Sequence, residues 1–278
     1  MKDYKELISL ALQEDIGDGD HSADSCIPEN AKGKAQLLVK QDGILAGLKV
    51  AQEVFTQVDS KCKFKVLKKD GDKIKNGDLV FTVEGSSRSI LKAERLALNF
   101  MQRMSGIATH TDFLKSLIKG TSSQILDTRK TTPNFRYFEK EAVRIGGGKN
   151  HRMGLYDMIM IKDNHIDYAG GIKAAIEKAL AYKQKNKLSI AIEVEARNIE
   201  EVKEILSAPK VDRIMLDNFT YTDLRLAVDL IGDKVETEAS GGITKDTIRQ
   251  YANCGVDYIS VGALTHQIES LDMSLKAV

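Results

Sequence analysis

The sequence predicts an α/β protein in two parts: an N-terminal α/β region built on an open sheet, then a long run of strand–helix units. Three observations carry this. Strand-like runs separated by glycine turns fill the first part. After Gly120 six short apolar runs recur, each followed by a helix-like segment. Every one of the six ends in charged residues or glycine.

The elements follow in order. Residues 4–14 carry apolar side chains at Leu7, Ile8, Ala11 and Leu12, the stripe of an amphipathic helix. Residues 35–40, 63–69 and 79–85 read as strands, divided by Asp42-Gly43, Asp70-Gly71-Asp72 and Asn76-Gly77-Asp78. Residues 47–57 read as a helix. From Ser87 to Lys119 the pattern is helical, and Ser105-Gly106 is expected to interrupt it, because glycine weakens a helix interior. This stretch connects the domains, set at 1–108 and 109–265.

The six later strands are 124–127, 158–161, 190–195, 213–217, 235–240 and 258–262. Helices are expected over 170–184, 198–206, 220–231 and 244–253, with Thr220 or Thr222 and Thr244 as caps. Alternation at this spacing implies βαβ units and a parallel sheet, either a small barrel or an open doubly wound sheet. The strand ends favour the barrel.

Composition narrows the class. With 41 Lys+Arg against 40 Asp+Glu the formal net charge is +1, which argues against a general nucleic-acid binder. No apolar run approaches the ~18–20 residues that span a bilayer. The first twenty residues mix acids with apolar residues and do not read as a signal peptide. Cys26, Cys62 and Cys254 are scattered and form no CxxC pair, so reduced thiols in a cytoplasmic protein are expected.

The strand ends carry the chemistry, because parallel α/β folds bind ligands at the carboxyl ends of their strands. The six ends are Asp127-Thr128-Arg129-Lys130, Lys162-Asp163-Asn164-His165, Glu193-Val194-Glu195, Asp217-Asn218, Glu238-Ala239-Ser240-Gly241-Gly242 and Gly262-Ala263. A single strand must reach polar residues wherever it leaves a core; six delivering charge or glycine together point to a site. From Asp127 to His165 there are eight Lys/Arg and five acids; from Ser189 to Glu238 there are twelve acids and six bases. The cation-rich half suits an anionic substrate, since arginine forks bind carboxylates and phosphates in bidentate fashion. Glu195 and Asp217 suit Mg²⁺, which takes one or two carboxylates plus substrate oxygens. The glycines after the last two strands suit a phosphate met by backbone N–H groups. Gly146-Gly147-Gly148 has no dinucleotide-binding form and reads as a close backbone approach aiming His151 and Arg152.

At this length of pattern the sequence resembles a known family. ILDTRKTTPNFR (125–136), EAVRIGGGKNHRMGLYDMIMIKDNH (141–165), LDNF (216–219) and EASGGI (238–243) look like quinolinate phosphoribosyltransferases, as do EDIGDGD (14–20) and ERLALNFMQRMSGIAT (94–109). The resemblance implies an N-terminal α/β open-faced sandwich joined by the C-terminal tail, 266–278, and an incomplete six-stranded parallel α/β barrel. It implies transfer of phosphoribosyl from phosphoribosyl pyrophosphate to quinolinate with Mg²⁺, giving nicotinate mononucleotide, pyrophosphate and CO₂. It implies a homodimer, or a larger assembly of dimers such as a hexamer, with the site shared between subunits.

Carried over by position, the quinolinate-binding set falls on Arg129, His151, Arg152 and Lys162, with Arg95 donated across the dimer interface. Lys130 matches the lysine that contacts the phosphoribosyl donor. Glu195 and Asp217 match acids near the ribose and metal, Glu193 being the alternative to Glu195. Ser240, Gly241, Gly242, Gly262 and Ala263 match the 5′-phosphate loops. Asn134-Phe135 stands where the family often has Gly-Leu, and no charged site residue is lost. Two rival readings remain at this stage: a sister family associated with molybdenum transport, and a Schiff-base barrel lyase using Lys162.

Overall fold

The computed structural model describes residues 4–278. The chain forms two compact units. The first takes the chain up to Asp112 together with Thr131–Gly147 and Leu264–Val278; the second takes Phe113–Lys130 and Gly148–Ala263.

The first unit opens with α1 (Tyr4–Ile16), which buries Ile8 and Leu12 from the stripe read in the sequence. In α2 (His21–Cys26), Asp20 is the cap and its Oδ1 accepts the Ala23 N–H at 3.0 Å. Then come β1 (Lys32–Val39), β2 (Gly43–Ile44), α3 (Leu48–Val58), β3 (Lys63–Val66), β4 (Lys73–Ile74) and β5 (Leu79–Ser86). Along β1, Ala35, Leu37 and Val39 are buried, the period of a strand with one face on a core. Phe55 from α3 and Phe64 and Phe81 from the sheet meet there, with the last two ring centroids 4.2 Å apart.

Helix α4 (Ser87–Leu117) runs unbroken through Ser105-Gly106. The expected interruption does not occur, because tertiary contacts override the cost of glycine. A Cβ at Gly106 would collide with the Glu269 carbonyl oxygen, so glycine is there for a close approach of the chain's tail. Ser105 Oγ accepts the Ala46 N–H at 2.9 Å and donates to the Ala46 carbonyl at 3.1 Å.

The remaining elements are β6 (Gln124–Leu126), α5 (Arg136–Ile145), β7 (Met158–Ile161), α6 (Asp163–Ala169), α7 (Ile172–Lys185), β8 (Ala191–Ala196), α8 (Ile199–Ser207), β9 (Arg213–Asp217), α9 (Tyr221–Ile231), β10 (Glu236–Ser240), α10 (Ile248–Ala252), β11 (Tyr258–Ser260), α11 (Ala263–His266) and β12 (Met273–Ala277). The sheet of the first unit has the order β12-β1-β5-β3 and is antiparallel. Its outer strand β12 therefore comes from the tail.

Segment 131–147, with α5, groups with the first unit, whereas the sequence division set it in the barrel. The reason is aromatic: Phe138 is buried, Phe135 stacks on Phe100 at 5.3 Å, and Tyr137 stacks on Tyr4 at 5.2 Å. Asn134, at a position where glycine is common in the resembling family, has φ +60°, which asparagine tolerates. Buried Glu139 holds this segment, accepting from the Thr132 N–H at 3.1 Å, the Thr132 hydroxyl at 2.9 Å and Arg103 at 2.9 Å.

The second unit is a parallel sheet with the order β6-β11-β10-β9-β8-β7. Its end strands, β6 and β7, are not paired with one another, so the cylinder is incomplete. Lys149 lies along the free edge of β6, its N–H donating to the Ile125 carbonyl at 2.8 Å. Helix α10 starts at Ile248 because Thr244–Thr247 closes a separate turn, with Thr247 Oγ1 accepting the Thr244 N–H at 2.9 Å.

The two faces of this sheet differ. Ile125, Ile159, Ile161, Ile192, Val194, Ile214, Leu216, Ala239 and Ile259 share one face; α7, α8, α9 and α10 pack on these strands. The alternate positions carry Met160, Glu193, Glu195, Arg213, Met215, Asp217, Glu238, Ser240 and Ser260. Side chains from β8 and β10, which are separated by β9, come within reach of each other on this second face. That is possible only if the sheet curves around it. The charged residues therefore line the inside of the barrel.

Candidate active site

The site lies at the carboxyl ends of the six parallel strands. On the cation-rich side, β6 leads into buried Asp127, whose Oδ1 accepts the His151 N–H at 2.8 Å. Half-buried Arg129 and exposed Lys130 follow, with Thr128 Oγ1 accepting the Lys130 N–H at 3.0 Å. Arg152 is half-buried, and its Nη1 donates to the Met158 carbonyl at 3.4 Å. Asp157 fixes the turn behind it, accepting the N–H groups of Met153 at 2.6 Å and Gly154 at 2.8 Å. Burial and the charge of Arg129 push the Arg152 guanidinium below its usual range, opposed by Glu193 and Asp157. The two arginines thus lie close enough for the charge of one to act on the other.

Lys162 follows β7, with its Nζ 3.4 Å from Glu195 Oε2. Burial pushes the Glu195 carboxyl up, Asp217 adds to this, and Lys162 opposes it. Asp217 ends β9 and accepts from Asn218 Nδ2 at 2.6 Å. Asn218 has φ +57°, and its N–H donates to the Ser240 carbonyl at 2.9 Å. The end of β9 is thereby locked to the turn Ser240-Gly241-Gly242. Lys162 is exposed, so the desolvated surroundings that activate a Schiff-base lysine do not surround it.

Of the residues expected from sequence, the second unit holds Arg129, Lys130, His151, Arg152, Lys162, Glu195, Asp217, Ser240, Gly241, Gly242, Gly262 and Ala263. Arg95 is exposed on α4 in the first unit.

Beneath this rim His151 and Glu193, both named from the sequence, meet Glu238, to which the sequence reading gave no role. His151 Nε2 is 2.9 Å from Glu193 Oε2 and 3.5 Å from Glu238 Oε2, and both glutamates are fully buried. Glu238 also accepts from Arg213 Nη1 at 3.1 Å and from the Ser260 hydroxyl. Arg213 lies over the Tyr258 ring, 4.1 Å from its centroid. The histidine nitrogen and one oxygen of each glutamate lie within 4.8 Å of one another. Arg213 supplies the cation there. The signal in the sequence was a charged residue at alternate positions of an apolar strand, as at Glu193 and Glu195 on β8 or Glu236 and Glu238 on β10.

Burial, and then the charge of Glu193, push the Glu238 carboxyl up to about 7. Below that pH the folded protein keeps a proton that an unfolded glutamate loses near its ordinary value, so this group weakens the fold as pH rises between the two. Glu238→Gln is permanently neutral. Urea unfolding is expected to give it a stability advantage over the unmodified protein at pH 8 that shrinks towards pH 5. An advantage independent of pH would contradict the buried titration.

Cations beside an acid pair and a glycine turn, all on the rim of a parallel α/β barrel, define an enzyme site for small, highly charged substrates. Comparison with known proteins identifies the family. Residues 20–105 match the N-terminal domain, and residues 107–276 the C-terminal domain, of quinolinate phosphoribosyl transferase. The chain belongs to the quinolinate phosphoribosyltransferase family. It is 47% identical to quinolinate phosphoribosyltransferase [decarboxylating] 1b of Nicotiana tabacum, covering 99% of this chain and 82% of that protein. It is 41% identical to a probable nicotinate-nucleotide pyrophosphorylase [carboxylating] of Bacillus subtilis, covering 98% and 92%. The structure of the nicotinate-nucleotide pyrophosphorylase from Francisella tularensis superposes with a TM-score of 0.92 at 42% identity, over 99% of this chain and 95% of that one.

Proposed function

We propose that this protein transfers the phosphoribosyl group of phosphoribosyl pyrophosphate to quinolinate with loss of CO₂, giving nicotinate mononucleotide and pyrophosphate. Family membership across both domains carries the reading, and the crowded Arg129–Arg152 pair beside Lys162 supports it. Quinolinate brings two adjacent carboxylates. Arg129, Arg152 and Lys162 hold and orient them, with Arg95 of the partner subunit completing the set. The ring nitrogen bonds to C1 of the ribose as the bond from C1 to pyrophosphate breaks. Positive charge builds on the ribose, and Glu195 and Asp217 face it. Lys130 receives the departing pyrophosphate. Ser240-Gly241-Gly242 and Gly262-Ala263 hold the 5′-phosphate through backbone N–H groups. The 2-carboxylate then leaves as CO₂, its electron pair passing into the pyridinium ring, and C2 takes up a proton.

Glu195 and Asp217 offer hard oxygen donors on adjacent strands, coupled strongly enough for Asp217 to raise Glu195. That donor set fits Mg²⁺, which is completed by substrate oxygens. Glu195 and Asp217 would hold the ion there, and it would supply charge neutralisation to the pyrophosphate. Among the described residues no helix is long and apolar enough to cross a membrane. The three free cysteines fit a reducing compartment, and a cytoplasmic setting is part of the proposal.

The direct test supplies purified protein with quinolinate, phosphoribosyl pyrophosphate and Mg²⁺. Nicotinate mononucleotide and CO₂ are expected in equal amounts; formation of neither would overturn the reading. The shared site has its own test. Arg95→Ala and Lys130→Ala should each be nearly inactive, yet an equimolar mixture allowed to exchange subunits should recover about a quarter of full activity. Half of the dimers are then mixed, and each mixed dimer has one intact site. No recovery would place Arg95 in its own subunit's site.

A further inference from the structure

Nδ1 of His151 is hydrogen-bonded within the protein, and Nε2 lies in close buried contact with Glu193. Nδ1 accepts the Arg152 backbone N–H at 2.7 Å, which leaves Nε2 as the protonated nitrogen. Nε2 faces Glu193 Oε2 at 2.9 Å. The His151 N–H is held in turn by Asp127 at 2.8 Å. The imidazole therefore lies between the Glu193 carboxylate on β8, in close polar contact, and the main chain of Arg152, to which it is hydrogen-bonded. Glu238 is the more distant carboxylate, at 3.5 Å, and is already engaged by Arg213 and Ser260. Glu193 is wholly buried and cannot touch a substrate at the rim.

We infer that Glu193 is a positioning residue for the dicarboxylate end of the site, acting through His151 to fix the main chain from which the Arg152 guanidinium projects. The inference rests on the proposal that quinolinate is the acceptor substrate. A buried carboxylate that orients a histidine through one nitrogen sets which tautomer the ring adopts and which way it faces. Here the other nitrogen grips the neighbouring residue's backbone. Loss of Glu193 frees the ring to turn, releases the Arg152 N–H, and lets the guanidinium drift from its place beside Arg129. Binding of the dicarboxylate suffers, while the phosphoribosyl end, built on β9, β10 and β11, does not.

The experiment is a double-substitution cycle of Glu193→Ala and His151→Ala, read as KM for each substrate and as kcat. Glu193→Ala should raise the quinolinate KM ~10–100-fold, as loss of an orienting partner does, with little change in kcat or in the KM for phosphoribosyl pyrophosphate. Glu193→Gln, which keeps the side chain's volume and a polar oxygen against Nε2, should restore most of the affinity. In a His151→Ala background, Glu193→Ala should cost far less than in the unmodified protein, leaving only its direct charge effect on Arg152. Additive effects, or equal losses in both KM values and kcat, would overturn the inference and make Glu193 a merely structural residue. Nitrogen-15 spectra of the histidines in the unmodified protein decide the case even if Glu193→Ala fails to fold. His151, assigned by its loss in His151→Ala, should show a protonated Nε2 and a hydrogen-bonded bare Nδ1, and the opposite tautomer would overturn the inference. Failure of the unmodified protein to turn over quinolinate would count against the proposed reaction, leaving the positioning geometry to the spectra.

Discussion

Replacing Arg152 with alanine is expected to raise the KM for quinolinate by about two to three decades without unfolding the protein. The magnitude follows from removing one fork of a charge-assisted pair while its anionic partner stays desolvated beside Arg129. The sign of the stability change follows from the unliganded geometry. Arg152 is half-buried beside a like charge that pushes its guanidinium below its usual range. Its guanidinium makes one long hydrogen bond to the Met158 carbonyl, at 3.4 Å. Its removal should therefore leave the melting temperature of the free protein unchanged or slightly raised. The melting-temperature increase on adding quinolinate should vanish, because stabilisation by a ligand scales with its affinity. Arg152→Lys should fall between the two, keeping the charge and losing the planar fork. Full activity in Arg152→Ala would remove the basis for reading this place as the dicarboxylate pocket.

The strand–helix units of the barrel were legible because five of the six strands turn isoleucine, valine or leucine to the helices, β10 offering Thr237 and Ala239 instead, and short apolar runs read as strands wherever helical stripes follow them. The rim was legible for a related reason: parallel strands leave the core together at one end, so their last residues share a surface. What the linear pattern concealed came from contacts between distant segments. Nothing local in Ser105-Gly106 announces that Glu269 lies against it, so a helix break was the natural reading. Phe135, Tyr137 and Phe138 look like ordinary core residues, and only their partners Phe100 and Tyr4 say which core they join. The buried Glu193–Glu238–Arg213 group was visible as charges at alternate strand positions. Its meaning depends on curvature, since only a curved sheet brings β8 and β10 side chains together across β9.

Substituting Gly241 with alanine is expected to be the most damaging single-methyl change in the rim. Gly241 has φ +104°, a backbone conformation that side chains other than hydrogen rarely adopt, costing ~1–3 kcal/mol in strain. Space is the second obstacle. A Cβ there would collide with Asn218 Oδ1 and lie 2.9 Å from the Asn218 backbone nitrogen, which itself donates to the Ser240 carbonyl. Relief requires Asn218 to move, and Asn218 Nδ2 holds the Asp217 carboxylate at 2.6 Å. One methyl group thus disturbs the proposed phosphate turn and the proposed ribose-facing acid together. The kcat/KM for phosphoribosyl pyrophosphate should fall by about two to three decades, the scale of losing an oriented catalytic contact, while the quinolinate pocket on β6 and β7 keeps its shape. Gly242→Ala is the control. Its φ is +57° and no atom lies within 4 Å of the added carbon, so it should lose only the ~1–2 kcal/mol of a left-handed residue. Steady-state kinetics on the two variants separate the causes: if Gly241→Ala behaves like Gly242→Ala, backbone strain alone sets the cost, and the interlock of Asn218 with the turn does not govern the site.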